Sequence, residues 1–175
     1  MNRVSGGELF EYLSERDKVQ EDEAVEFLKQ ILEGIKHLHD RNIVHLDLKP
    51  ENLMLLHQES TRLKLIDFGL SRILNSKAEC RELLGTPEFV AISYTFETPD
   101  FSNTSDLAKD FISKLLVRDP RNRASVDDCL DHPWIKPVEE QHTSSRRSSS
   151  INVDNLKSFI ARQRWKVRIS LSCGV

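Results

Sequence analysis

Between Glu21 and His39 the apolar residues Val25, Leu28, Ile31, Leu32, Ile35 and Leu38 recur three and four apart, the spacing of one helix face. Glu21, Asp22 and Glu23 open that stretch, where a helix N-terminus favours negative charge. The pattern predicts one long helix over Glu21 to His39. A shorter helix is predicted from the Gly6-Gly7-Glu8-Leu9-Phe10 start to about Arg16. A third runs from about Ser105 to Val117, with Leu107, Phe111, Ile112 and Leu115 on one side, and Asp119-Pro120 stops it. Ser125-Val126-Asp127-Asp128 has the form of a capping box and opens a last short helix that ends before Pro133. Two short apolar runs, Leu53 to Leu56 and Leu63 to Ile66, flank the polar stretch from His57 to Arg62, which is a hairpin pattern. From Ser71 to Phe89 the chain reads as a polar loop, and the stretch from Ala91 to Ser102 shows no clear period.

The end of the chain differs in kind. From Pro137 to Ser150 it is polar, with Ser144-Ser145-Arg146-Arg147-Ser148-Ser149-Ser150, and it reads as a mobile linker. Within it, Arg146-Arg147-Ser148-Ser149 is either a basic phosphorylation pattern or ordinary linker composition. From Asn152 onward come Lys157, Arg162, Arg164, Lys166 and Arg168, with no acid after Asp154. Leu156, Phe159, Ile160, Trp165, Val167, Ile169 and Leu171 are mixed among them. A basic helix with such anchors suits an acidic partner with an apolar groove, such as calmodulin, or an anionic membrane surface, or docking on its own domain. Leu156, Ile160, Val167 and Leu171 share a face while Trp165 and Ile169 lie opposite, which favours a partner that wraps around the helix. The expected organisation is residues 1–91, 92–136, a Ser/Arg-rich linker at 137–152, and a basic segment at 153–175.

Composition narrows the classes. The 175 residues, 38% apolar and 30% charged, allow one soluble domain with a polar appendage, or part of a larger domain. A net charge of −3 does not call for a nucleic-acid partner. Cys80, Cys129 and Cys173 are widely spaced and read as reduced thiols of a cytoplasmic protein. No run of about 18 apolar residues suggests a membrane span, and the first residues lack a signal-peptide core. His37 and His39 point to different sides of the long helix and read as C-terminal partners of its dipole rather than a metal pair.

The chemistry sits in His45-Leu46-Asp47-Leu48-Lys49-Pro50-Glu51-Asn52, followed by Asp67-Phe68-Gly69 and then Gly85-Thr86-Pro87-Glu88. In that order, and joined by a hairpin, these stretches resemble the catalytic and metal-binding loops of a protein kinase. Phosphoryl transfer needs charge and hydroxyl groups held in line more than covalent chemistry. Asp47 suits the hydrogen bond from the hydroxyl being phosphorylated, and Lys49 suits the transferred phosphate. Asn52 and Asp67 supply hard oxygen ligands for magnesium. A hairpin between them would return Asp67 to the neighbourhood of Asn52.

The whole set resembles the death-associated protein kinases of the calcium/calmodulin-dependent Ser/Thr group. Besides the loops, the resemblance rests on Gly6 to Phe10, Phe27 to Leu32, Gly85 to Ala91, Phe101 to Ser105, His132-Pro133-Trp134-Ile135-Lys136 and the tail around Phe159 to Lys166. It implies an α+β, mostly helical fold: an incomplete kinase large lobe with a short β-hairpin, plus a C-terminal basic helix. It implies ATP and Mg2+ as cofactors, with Glu8 on the ribose, Met54 under the adenine, Asp47 as base, Lys49 on phosphate, and Asn52 and Asp67 on magnesium. Lys49 after Leu48 marks Ser/Thr rather than Tyr substrates, and Thr86 falls in the substrate-binding loop. Leu46 replaces an arginine that in many kinases pairs with a phosphorylated loop, so loop phosphorylation is not expected as the on-switch. Phe159, Ile160, Arg162, Arg164, Trp165 and Lys166 would form the calmodulin-binding segment; Val167 stands where a regulatory serine is usual.

Two departures shape the functional expectation. The sequence opens at the hinge, without a Gly-x-Gly-x-x-Gly or a Val-Ala-x-Lys strand. After Ala91 it passes to Ile92-Ser93-Tyr94 in place of two further large helices, which removes the glutamate that would pair with Arg123. The expected activity is therefore ATP-dependent phosphorylation of protein Ser/Thr, weak or absent in this chain alone because the phosphate-cradling lobe is missing. The alternative is a non-catalytic chain that binds calmodulin or competes for substrates.

Overall fold

A computed structural model describes residues 5–58, 60–75, 101–117, 119, 121–154 and 157. The expected calmodulin-binding residues Phe159 to Lys166 and the Gly85-Thr86-Pro87-Glu88 stretch lie outside them. The elements in chain order are α1 (Leu9–Ser14), β1 (Lys18–Gln20), α2 (Glu21–His39), β2 (Ile43–Val44), a 3-10 turn (Pro50–Asn52), β3 (Leu53–Leu55), β4 (Leu63–Leu65), β5 (Arg72–Ile73), α3 (Asp106–Leu115), α4 (Val126–Leu130), α5 (Glu140–Ser148) and β6 (Ser150–Asn152). Among the described residues the strands form three antiparallel pairs, β1 with β6, β2 with β5, and β3 with β4. Among the described residues, helices hold more of the chain than strands do.

The long helix α2 has the bounds its period predicts, and it organises the core. One side of it, Val25 and Leu32 with Leu28 beside them, packs on Ala108, Phe111, Cys129, Trp134 and Ile135. Phe27 and Ile31 meet Leu9, Leu53, Leu55, Leu63 and Leu65 in a second cluster. Phe27 is 3% exposed although it falls off the single stripe read from the sequence. The helix is sandwiched, so it buries two faces. Each such side chain taken out of water contributes roughly 1.5–3 kcal/mol.

Local signals fix the ends of the smaller helices. Ser105 caps α3, its hydroxyl accepting from the Ala108 N–H at 3.1 Å. Ser125 and Asp128 form the reciprocal capping box of α4. The hairpin is also as expected, with Leu53 opposite Leu65 and Leu55 opposite Leu63.

The polar stretch after Pro137 departs from expectation. Instead of a mobile linker it forms α5, and β6 then pairs Lys18 with Asn152, Val19 with Ile151 and Gln20 with Ser150. Two buried groups explain the difference. Arg146, 8% exposed, donates through Nη1 to the Trp134 carbonyl at 2.8 Å, and its Nε lies 3.2 Å from Asp22 Oδ1 without hydrogen-bond geometry. Val153, 3% exposed, adds an apolar anchor. Lys157 then reaches Asp17 at 3.2 Å.

Candidate functional site

The candidate catalytic loop lies between β2 and β3 and is held by its own polar groups. His45 is buried, and its Nδ1 accepts the Asp47 N–H at 3.3 Å. Its proton therefore sits on Nε2, which donates to the Ile66 carbonyl at 3.2 Å and so joins this loop to the end of β4. The ring also packs against Phe68, with centroids 5.0 Å apart. From the other side the Ser71 hydroxyl donates to the His45 carbonyl at 3.2 Å.

Four sequence-predicted residues come together on this frame. Lys49 Nζ donates to Asp47 Oδ2 at 2.7 Å. Asn52 Nδ2 donates to the Asp47 carbonyl at 2.8 Å and to its Oδ2 at 3.1 Å. The Ile66 N–H donates to the Asn52 carbonyl at 2.9 Å, which places Asp67 directly after a residue bonded to Asn52. The ammonium of Lys49, hydrogen-bonded to Asp47, holds that carboxyl below its usual range, and Asp47 in turn raises Lys49. Two of the non-glycine residues here are left-handed, Leu46 at φ 62° and Asp67 at φ 61°. At Asp67 the carboxylate Oδ1 accepts the Gly69 N–H at 3.1 Å, a local turn that supports the conformation.

Glu8 and Met54 face each other in an isolated backbone bridge. The Gly6 N–H donates to the Leu55 carbonyl at 3.1 Å and the Leu55 N–H to the Gly7 carbonyl at 2.9 Å, so the segment before α1 runs along β3. A side chain at Gly6 would sit 2.5 Å from the His57 carbonyl oxygen, and Gly7 has φ +79°, so both glycines are required by the close approach and the turn. A cleft of about 430 Å³ opens there, lined by Gly7, Glu8, Glu11, Tyr12, Glu15 and Arg16 among others. Met54, the expected adenine floor, does not line it.

Residues 1–93 match the protein kinase domain family. The chain belongs to the protein kinase family. It is similar to death-associated protein kinase 2 of Mus musculus and of Homo sapiens, each 38% identical over 216 aligned residues that cover 96% of the chain and 58% of the relative. It is likewise 38% identical to the death-associated protein kinase dapk-1 of Caenorhabditis elegans, covering 15% of that protein. The chain thus spans under three fifths of the length of the curated relatives it matches. Because 216 aligned positions exceed its 175 residues, the relatives carry segments with no counterpart here. Among solved structures, the twitchin kinase fragment of C. elegans superimposes with a TM-score of 0.73 at 32% identity, over 95% of the chain and 46% of that structure. The titin kinase with its flanking domains gives 0.71 at 24% identity, over 90% and 36%.

The kinase motifs carry a donor set suited to a hard cation. Both acceptors of the Asn52 amide nitrogen lie on Asp47, which turns Asn52 Oδ1 the other way, and Asp67 commits only Oδ1 to Gly69. A carboxamide oxygen and a carboxylate oxygen are the ligands that magnesium takes alongside phosphate. Among the described residues there is no group of three or more His, Cys, Asp or Glu side chains that could hold a metal, and His37 is engaged instead by Arg41 at 3.1 Å. Arg123 is exposed and donates to the Val117 carbonyl at 3.0 Å, so losing its expected glutamate strands no buried charge.

Sequence reasoning missed one polar centre. Glu21 was read as a dipole charge, yet it is fully buried and accepts from the Ser105 N–H at 2.6 Å, the Ser105 hydroxyl at 2.7 Å and the Trp134 indole N–H at 2.8 Å. Its partners lie 84 and 113 residues away, beyond the reach of any local pattern. Among the described residues no helix is long and apolar enough to cross a membrane.

Proposed function

We propose that this chain is the large-lobe part of a cytoplasmic Ser/Thr protein kinase of the death-associated type, built to transfer the γ-phosphoryl group of ATP to protein Ser/Thr. The observation that supports it is the Lys49–Asp47–Asn52 cluster, with Asp67 brought in through the bond between Ile66 and Asn52. Asp47 accepts the hydrogen bond of the attacking hydroxyl and takes up its proton. Lys49, within 2.7 Å of Asp47, is released to the phosphate as substrate displaces it. Asn52 and Asp67 would hold Mg2+, which when bound would supply charge neutralisation on the phosphate oxygens. Glu8 contacts the ribose and Met54 the adenine. Positioning supplies most of a kinase's rate. This chain alone is therefore a weak enzyme or inactive.

Phe159, Ile160, Arg162, Arg164, Trp165 and Lys166 form the calcium-calmodulin site that regulates transfer. The non-catalytic alternative draws support from the surface around Asp47: Leu48, Phe68 and Leu70 are 45%, 48% and 61% exposed. The deciding experiment is transfer of labelled γ-phosphate from Mg-ATP to a basic serine peptide by the purified chain, with and without calcium-calmodulin. Signal lost in Asp47→Asn supports the enzyme. A folded chain without signal leaves the binding role.

A further inference from the structure

The hairpin β3–β4 ends at the two metal-binding candidates: Asn52 immediately precedes β3, and Asp67 follows β4 by one residue beyond Ile66. The far end of the hairpin is gripped by one side chain of α2. Gln30 Oε1 accepts the Leu63 N–H at 3.1 Å, and Gln30 Nε2 donates to the Thr61 carbonyl at 2.8 Å. The same Nε2 lies 3.0 Å from the Glu26 carbonyl, so its own helix fixes which end of the amide faces which group. Among the described residues β4 pairs with β3 alone, and the Leu63 N–H points away from that pair. Gln30 thus takes the place of a third strand at this edge, satisfying one donor and one acceptor that would otherwise face outward.

We infer that Gln30 is a positioning residue for the Asn52–Asp67 metal pair, an inference that rests on the kinase reading of that pair. The path is short and stiff. From Leu63 the strand runs three residues to Ile66, about 10 Å, and Ile66 is bonded to both Asn52 and His45. At its other end α2 leads through β2 into His45 and Asp47. Gln30 therefore locks the element carrying Asp67 against the element carrying Asp47. Apolar contact of Phe27 and Ile31 with Leu63 and Leu65 holds the two together but leaves them free to slide; the bidentate amide fixes the register between them.

The test uses the full, nitrogen-15-labelled chain. Mn2+ is titrated in with ATP present, and broadening of the Asp67 and Gly69 amide signals is followed. In Gln30→Met, of similar size but without either bond, Leu63 amide exchange is expected to accelerate and Mn2+ affinity to fall about tenfold, the lower bound for loss of a ligand-orienting partner. Gln30→Glu keeps the acceptor for Leu63 but loses the donor to Thr61, and it gives a smaller fall if the Met variant does not fold. Faster Leu63 exchange with unchanged Mn2+ affinity would show a purely structural clamp and overturn the inference. Wild-type signals that Mn2+ leaves sharp, or that broaden equally in Asp67→Asn, would overturn the metal reading itself.

Discussion

The indole N–H of Trp134 donates to Glu21 Oε2 at 2.8 Å, inside a core where Trp134 is 1% and Glu21 0% exposed. The same carboxylate holds both the N–H and the hydroxyl of Ser105, the residue that caps α3. One side chain thus ties the first turn of α2 to α3 and to Trp134. Glu21→Ala leaves three buried donors without an acceptor and is expected to cost about 3–5 kcal/mol, a large share of a domain's stability of about 5–15 kcal/mol. Glu21→Gln, which sets an amide N–H against one of those donors, should cost about 1–3 kcal/mol. Urea unfolding followed by tryptophan emission in a Trp165→Phe background, which isolates Trp134, measures both.

The titration of Asp47 follows from Lys49. The folded carboxyl lies below its ordinary value, chiefly through the Lys49 hydrogen bond. A depressed carboxyl stabilises the fold above its unfolded range and loses that contribution only as pH falls through the lowered value. The Asp47–Lys49 pair should therefore survive acidification through the ordinary carboxylate range. Lys49→Met is expected to return the Asp47 titration upward, read from its side-chain carboxyl carbon by NMR. An unchanged midpoint would mean that Lys49 does not govern it.

These two clusters show what the sequence could convey. The bounds of α2, the Ser125–Asp128 capping box and the hairpin were legible because each depends on residues within a few positions of one another. So was the assembly of Asp47, Lys49, Asn52 and Asp67, which one loop and one hairpin bring together. Glu21 and Arg146 were not legible. Glu21 has the charge of a solvated first turn, and Arg146 sits in a Ser/Arg-rich stretch whose composition matches disorder. Their burial depends on Trp134, Ser105 and Asp22, which no local period can report.

Arg146 should be the anchor of α5. Its removal takes away the bond to the Trp134 carbonyl and leaves Asp22 with the looser Arg147 contact at 3.7 Å. Arg146→Met is expected to cost about 1.5–3 kcal/mol, the worth of a charged hydrogen bond, and to speed amide exchange in Val19, the middle residue of β1, before the rest of the lobe. Arg147, 73% exposed along its side chain and 3.7 Å from Asp22, should tolerate Ala within about 0.5 kcal/mol.

Leu46 holds a left-handed backbone at φ 62°, a conformation in which a branched apolar residue is disfavoured by roughly 1–2 kcal/mol. With 40% of its surface exposed, little burial offsets this. Leu46→Asn is expected to stabilise the chain by about 0.5–1 kcal/mol, visible as a raised urea midpoint. A lowered midpoint would show that the leucine side chain has a packing role that outweighs the strain.

Pairing of Lys18 with Asn152 has a consequence for the order in which the molecule is made. During synthesis β1 and α2 emerge early, while the strand that completes β1 and the indole that satisfies Glu21 are still untranslated. Until then the Glu21 carboxylate is solvated and the two apolar faces of α2 lack part of their cover. Ribosomal elongation at about 5–20 residues per second makes that wait several seconds long. The lobe therefore closes as a late event that joins distant parts of the chain, and the nascent α2 is the segment a chaperone would meet.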